Sequence, residues 1–357
     1  MIRMFTPSFV DEDNTNGQNL TVKEVASRLD PGRFHLTAIV SGEPDPRIAR
    51  RKNTDLLRWG NHGNTVRTLL RCLWQPPDIY WFPRESCLDA GFLFLRRILR
   101  LKTKLVTYIV KTLDHGQEKD HSNLAARTLS ATISEGDAVV GNSRFVTETI
   151  QAAYGVSATT VYDGIDHRYF FPNEEKELFR KQARNGLTVI YVGSFQARKR
   201  VDVVIRQAAK WPNVAFKLAG TGQEMPSSQA LAARLGCSNV FFLGHLSQAK
   251  TGEEMRDADV FLFPSIIEGH PQVLLQAAAC GLPCIAMRLY HPDYIVNGET
   301  GFLVDNDEEL AQKLDLLLSN QDLRFSMAQS AVRHGQQYDW DRITLEWQEI
   351  FEEVVAH

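Results

Sequence analysis

The sequence predicts an α/β protein of two doubly wound, parallel-sheet domains facing across a cleft, with a terminal helix packing back on the first domain. Three observations predict it. Strand-like apolar runs alternate with helix-spaced segments, the pattern of a parallel sheet covered on both faces. The alternation pauses near Tyr169 to Pro172 and then restarts. At 357 residues the chain is too long for one small core and suits two domains of ordinary size. The expected divisions are residues 1–168, residues 169–338 and a crossing helix at 339–357.

In the first half, Met1 to Phe5 reads as the opening strand and Asp11 to Asn19 as a polar loop containing Gly17. Leu20, Val22, Val25, Ala26 and Leu29 then recur at helical spacing. Phe34 to Val40, Asp78 to Phe82 and Lys104 to Val110 read as strands, and Leu88 to Leu101 as an apolar helix with a basic edge. Asp137 to Ser143 is a buried strand ending in a loop, followed by a helix from Arg144 to Tyr154. In the second half, strands are expected at Leu187–Val192, Val214–Ala219, Val240–Phe242 and Val260–Phe263. Helices at Val201–Lys210, Ser227–Leu235 and Lys250–Ala258 separate them, and Pro283 to Met287 opens a further unit. Ile343, Leu345, Trp347, Ile350, Phe351, Val354 and Val355 give the last segment an apolar stripe at helical spacing.

Composition narrows the function. Hydrophobic content of 43% with 23% charged residues matches a globular enzyme rather than a disordered chain. A net charge of −3 argues against an electrostatic nucleic-acid binder, so no nucleic-acid partner is expected. The charge is uneven: Arg47 to Lys104 holds 13 Lys or Arg against 4 Asp or Glu, which suggests a phosphate-bearing partner. Within it, residues 92–104 join apolar bulk to Arg96, Arg97, Arg100, Lys102 and Lys104. Such a helix suits an anionic membrane surface, and equally a core seat with its arginine edge in solvent. Five cysteines, an odd number with no Cys-x-x-Cys pair, read as reduced core thiols. Cys280 and Cys284 have no His or Cys to complete a metal set. With no signal-peptide h-region and no run near the roughly 18 apolar residues of a membrane span, the expected location is cytoplasmic, peripheral at the membrane's inner face if residues 92–104 dock there.

The most informative segment is Phe263 to Pro283. An apolar strand ends in Pro264-Ser265, a loop carries Glu268 and Gly269, and a helix opens at Pro271. Loops outside the carboxyl ends of parallel strands are where such sheets bind ligands. The unpaired N–H groups of a first helical turn attract phosphate. Glu268 lies just upstream and Gln276 about two turns in, so one ligand can touch both. At the earlier strand end of Tyr191-Val-Gly193-Ser194-Phe195, Arg198 and Lys199 supply the charge a diphosphate needs, Arg by bidentate bonds and Lys as a point charge. The bland alternatives are a solvated basic loop and a water-facing Glu-Gly pair.

Together these segments resemble the acid–loop–helix signature and its companions in retaining glycosyltransferases of the two-domain, Rossmann-like GT-B fold, the large family 4 (group 1) set. Asp137 to Ser143, Val161-Tyr-Asp-Gly164-Ile-Asp166 with Phe171-Pro172, Leu218-Ala-Gly220-Thr-Gly222, Phe242-Leu-Gly244 and Asn297-Gly-Glu-Thr-Gly301-Phe-Leu-Val fall in the family's order, the last as a strand pair. The resemblance covers nearly all of residues 137–357 and is weaker before them, where Gly17 stands in for a Gly-containing loop. It implies that Glu268 contacts the donor sugar and stabilises positive charge at its anomeric carbon. Gly193, Ser194, Arg198, Lys199, Gly220, Gly222, Gly244, His245 and Leu246 would then line the nucleotide side. Gly269, His270, Pro271, Gln272 and Val273 would cradle the diphosphate, and Gln276 would meet the ribose. His270 is read as a sugar contact or a pH-sensitive pocket wall.

Two departures stand out. Ser194 occupies a position where relatives carry an arginine, and Gln276 replaces a carboxylate; its amide can accept one ribose bond and donate another. Near the reacting centre relatives place a His after the strand matching Lys104–Val110, whereas Asp114 and His115 are the candidates here. Gly17, Gln18 and Asn19 would line the acceptor side, or simply form a turn. The implied reaction moves a sugar from an NDP-sugar to a glycan, lipid-linked or small-molecule acceptor in polysaccharide or glycoconjugate biosynthesis. No cofactor and no metal is expected, and the resemblance favours UDP or GDP as the donor base. A nucleotide-sugar epimerase of the same architecture is the alternative enzyme. A non-catalytic sugar-nucleotide-binding scaffold subunit is the third reading.

Overall fold

The fold comes from a computed structural model, which describes residues 1–12, 17–60, 64–82, 86–110, 124–173 and 186–357. Two compact units emerge. The first joins Met1–Gly164 to Trp340–His357, and the second is Ile165–Asp339.

The first unit is a seven-stranded, all-parallel sheet. Its strands in chain order are β1 (Ile2–Phe9), β2 (Phe34–Val40), β3 (Thr54–Arg58), β4 (Ile79–Phe82), β5 (Lys104–Ile109), β6 (Ala138–Gly141) and β7 (Thr159–Thr160). In space they run β3-β2-β1-β4-β5-β6-β7, so the order reverses between β1 and β4. Met4 pairs with Leu36 on one side and Ile79 on the other, fixing register at that switch point. Strands buried on both faces need near-continuous apolar runs, which is why β2, β4 and β5 were readable. The edge strand β3 carries Asp55 and Arg58 and is mostly half-buried, so it offered no such run. The helices are α1 (Gly17–Arg28), α2 (Pro46–Ala49), α3 (Asn64–Trp74), α4 (Cys87–Leu99), α5 (Leu124–Ser134) and α6 (Arg144–Tyr154).

The second unit is a six-stranded parallel sheet ordered β10-β9-β8-β11-β12-β13. Its strands are β8 (Thr188–Val192), β9 (Ala215–Ala219), β10 (Val240–Gly244), β11 (Val260–Phe263), β12 (Cys284–Met287) and β13 (Gly301–Val304). Its helices are α7 (Val201–Ala208), α8 (Met225–Arg234), α9 (Gln248–Asp257), α10 (Gln272–Ala279), α11 (Asp307–Ser319) and α12 (Gln321–Gly335). The strand pair expected over Asn297–Val304 is one strand, β13. The Asn297-Gly298 turn takes the other half: Gly298 sits at φ +83 and its N–H donates to the Gly301 carbonyl at 2.8 Å.

The chain then returns to the first unit as α13 (Trp340–Ala356). Trp340, Ile343, Trp347 and Phe351 are buried among Met4, Val25, Phe34, Trp81 and Tyr108. Trp347 meets the Trp81 ring at 4.9 Å and the Tyr108 ring edge at 5.2 Å. Leu345, expected in the stripe, is exposed because it lies across the helix from Trp347. Gly164 is required where the chain passes this helix, since a Cβ there would lie 2.5 Å from Trp340.

Candidate functional site

The ends of β8, β9 and β10 are laced together by backbone alone. The Gly193 N–H donates to Ala219 O at 3.0 Å, and Gly220 N–H to Gly244 O at 2.7 Å. Phe195 N–H donates to Thr221 O at 2.8 Å. These strand ends approach so closely that a Cβ on Gly220 would fall 1.9 Å from Gly193 O, and one on Gly222 2.3 Å from Phe195 O. The glycines singled out in the sequence therefore permit this packing before they serve any ligand. Ser194 follows in the same loop, its carbonyl accepting from the Tyr191 hydroxyl at 3.1 Å. His245 is exposed and Leu246 half-buried beyond β10, just before Ser247 caps α9.

After this loop a single 3-10 turn, Ala197–Lys199, brings the basic run onto the end of β11. Ile266 N–H donates to Arg198 O at 3.0 Å, joining the two strand ends. The result is a charged cluster centred on one oxygen. Glu268 Oε1 accepts from Arg198 Nη1 at 2.8 Å, from Lys199 Nζ at 2.5 Å and from Ser265 Oγ at 2.5 Å. Arg198 Nη1 also donates to Ile267 O at 2.7 Å. Lys199 is 8% exposed and its ammonium lies 4.8 Å from the Phe263 ring centre. Burial lowers the Lys199 pKa, and Glu268 opposes that shift. Arg200 belongs to the scaffold instead: it takes a left-handed conformation before α7 and pairs with Asp307 at 2.6 Å. The three-residue basic run thus divides into two cations at the cluster and one structural residue, which decides against a uniformly solvated loop.

Helix α10 starts one residue later than expected, with Pro271 as its extended N-cap and Gln272 as its first residue. Gln272, Val273 and Gln276 form its partly exposed face, while Leu274, Leu275, Ala277 and Ala278 are buried. Gln276 therefore shares a face with Gln272 one turn earlier. Gly269 is half-buried between Glu268 and His270. His270 differs from the expectation of a pH-sensitive wall. It is buried, its ring centre is 3.6 Å from that of Tyr294, and burial pulls its pKa down to about 3. The imidazole therefore stays neutral through the physiological range. Tyr290 was missed: it is buried near enough to Glu268 for that charge to help raise its pKa, after burial itself, and its hydroxyl has no hydrogen-bond partner. Only its place after the apolar β12 could have hinted at it.

In the first unit, Gly17, Gln18 and Asn19 open α1, and Asn19 Oδ1 is buried with no hydrogen-bond partner among the described residues. Asp114 and His115 lie outside the described residues. A buried polar knot went unread at the neighbouring strand ends. Asp163 accepts from Thr21 Oγ1 at 2.5 Å, Tyr108 hydroxyl at 2.8 Å and Asn142 Nδ2 at 3.3 Å. Part of the basic excess between Arg47 and Lys104 is paired within the fold. Arg47 pairs with Glu24 and Asp45, Arg71 with Asp55, Arg96 with Asp137, Arg97 with Glu135 and Lys104 with Asp137. Arg67, Arg100 and Lys102 stay exposed. Beside them α3 and α4, which pack together, expose Val66, Leu70, Trp74, Phe94, Ile98 and Leu99. Among the described residues no helix is long and apolar enough to cross a membrane, and no group of three His, Cys, Asp or Glu converges to hold a metal ion.

Residues 173–334 match the family model described as glycosyl transferases group 1. This part of the chain is similar to that family, and the matched region holds the whole Glu268 cluster. A D-inositol 3-phosphate glycosyltransferase of Salinispora arenicola is 30% identical over 256 residues, spanning 63% of this chain and 56% of the relative. The chain thus spans just over half the length of that relative. Among solved structures, sucrose-phosphate synthase of Thermosynechococcus elongatus is similar with a TM-score of 0.81 at 17% identity, over 100% of both chains. Anabaena HepE, solved in complex with UDP, gives 0.80 at 17% identity over 99% of this chain and 100% of its own. At such identities the likeness is one of fold, and it covers both Rossmann-like α/β units.

Proposed function

We propose that this chain is a retaining, metal-independent glycosyltransferase of family 4. It moves a sugar from an NDP-sugar to a hydroxyl of a glycan, lipid-linked or small-molecule acceptor in glycoconjugate biosynthesis. The observation that carries this reading is the convergence of Arg198 and Lys199 on Glu268 at adjoining strand ends, just upstream of the α10 start. Two cations and a helix N-terminus suit a diphosphate leaving group. A carboxylate beside them suits the hydroxyls and developing positive charge of the sugar. In the reaction the bond from the anomeric carbon to the diphosphate oxygen breaks and a bond to the acceptor oxygen forms. The acceptor proton passes to the departing diphosphate, on the same face, which gives retention. Arg198 and Lys199 supply the charge neutralisation, so the reading needs no metal.

Gln276 serves the ribose as a neutral donor and acceptor. HepE binds UDP, which supports a uridine nucleotide as the first donor to try. We place the protein in the cytoplasm, with the exposed apolar face of α3 and α4 and its basic rim turned to an anionic membrane.

The test uses a panel of UDP-, GDP- and ADP-sugars without added acceptor, with release of the nucleoside diphosphate measured for wild type and Glu268→Ala. Slow release from one donor, falling at least about 100-fold in the variant, is expected for loss of a group that acts on the transition state. Nucleotide binding with no turnover under any acceptor condition would instead favour a scaffold. Release of a free epimerised sugar nucleotide would favour the epimerase.

A further inference from the structure

Arg198 and Lys199 both point at a single carboxylate oxygen. A diphosphate that takes these two cations competes with Glu268 for them. We propose that donor binding at this site is an exchange of anions, and that the exchange makes the protein hold an NDP-sugar more firmly than the NDP it becomes. This deepens the glycosyltransferase reading and rests on it.

The argument follows from counting charges and donors. Arg198, Lys199 and Glu268 sum to one positive charge. A diphosphate brings two or three negative charges and several acceptor oxygens, so it outcompetes one carboxylate for the cations. Displacement has a cost, because the Glu268 side chain is only 10% exposed and loses its two cationic partners. Ser265 Oγ alone remains on it, at 2.5 Å. A sugar carried on the diphosphate offers hydroxyl donors that can re-pair the carboxylate. The phosphate groups of a free NDP are acceptors and offer none. With NDP alone the carboxylate is left under-paired, close to like charge, and it competes to recover its cations. Glu268 thereby favours retention of the donor and expulsion of the product, in addition to any contact it makes in the transition state. Tyr191 and Tyr290 are both held as neutral phenols, by burial first and by the charge of Glu268 second.

The signature is a variant that loses turnover yet binds product better. Glu268→Gln keeps the side chain's size and removes its charge. Titration calorimetry would compare wild type and variant against UDP, GDP and ADP, then against the glucose conjugate of whichever binds. NDP affinity should rise about tenfold in the variant, the scale of one charged hydrogen bond no longer broken, with little or no gain for the NDP-sugar. Ser265→Ala, which removes a partner the displaced carboxylate keeps, should shift the same ratio in the opposite direction by less, and melting curves check that both variants fold. Equal or weaker NDP binding in Glu268→Gln would overturn the exchange and leave the transferase reading standing. No binding of any nucleoside diphosphate to wild type would overturn both.

Discussion

Each unit gathers polar side chains around one acidic residue at the carboxyl ends of its parallel strands, and the two gatherings differ in kind. In the second unit Glu268 is met by two full positive charges and a hydroxyl. In the first, the donors to Asp163 named above are neutral: a threonine, a tyrosine and an asparagine amide. Asp163 is 2% exposed and ties α1, β5 and β6 to the segment that follows β7. The neutral donors named above brace Asp163 within the fold, whereas under the proposed function the cations on Glu268 are shared with an incoming anion. The difference teaches that the charge of the partners, more than the burial of the acid, marks which cluster is exchangeable.

Breaking the brace should separate stability from binding. Asp163→Ala leaves buried hydroxyl and amide donors unpaired, at about 1–3 kcal/mol for each group that finds no substitute. Denaturant unfolding should therefore show a loss on the order of 3 kcal/mol, with nucleotide affinity of the folded fraction unchanged. A loss of nucleotide affinity with normal stability would erase the distinction between the two clusters. A smaller effect is expected at the first unit's outer face. Trp74, 86% exposed, ends α3, and the exposed Phe94 lies on α4, which packs against α3 and is followed by the exposed Arg100 and Lys102. Trp74→Ser should lower co-sedimentation with vesicles of phosphatidylcholine and 30% phosphatidylglycerol by roughly tenfold or less, about the worth of one inserted aromatic. Equal sedimentation of wild type with pure phosphatidylcholine, or none with either, would remove the membrane from the account.

The second unit was the more legible of the two for a physical reason. Its proposed ligand-facing chemistry sits in short loops directly after apolar strands, so Gly193, Lys199 and Glu268 are placed from the strand ends together with the family resemblance. What escaped was the partition within a basic run. Nothing in Arg198-Lys199-Arg200 says that the third residue turns left-handed and pairs with Asp307, which lies 107 positions away. His270 escaped for a similar reason, because its burial against Tyr294 depends on a segment beyond β12. In the first unit, β3 and α3 were missed because amphipathic edge elements carry their charges in the middle of their apolar pattern. A local count of the basic excess also ignores Glu24, Glu135 and Asp137, which the fold brings alongside part of it.

The central claim is that Arg198 and Lys199 form the diphosphate site that Glu268 shares. Lys199→Met, which keeps the buried volume and removes the charge, tests it most directly. Calorimetry against whichever of UDP, GDP and ADP binds wild type should show affinity falling by about 30-fold or more, as expected for truncating a buried charge contact, opposite in sign to Glu268→Gln. An unchanged affinity in a folded Lys199→Met protein would contradict the account.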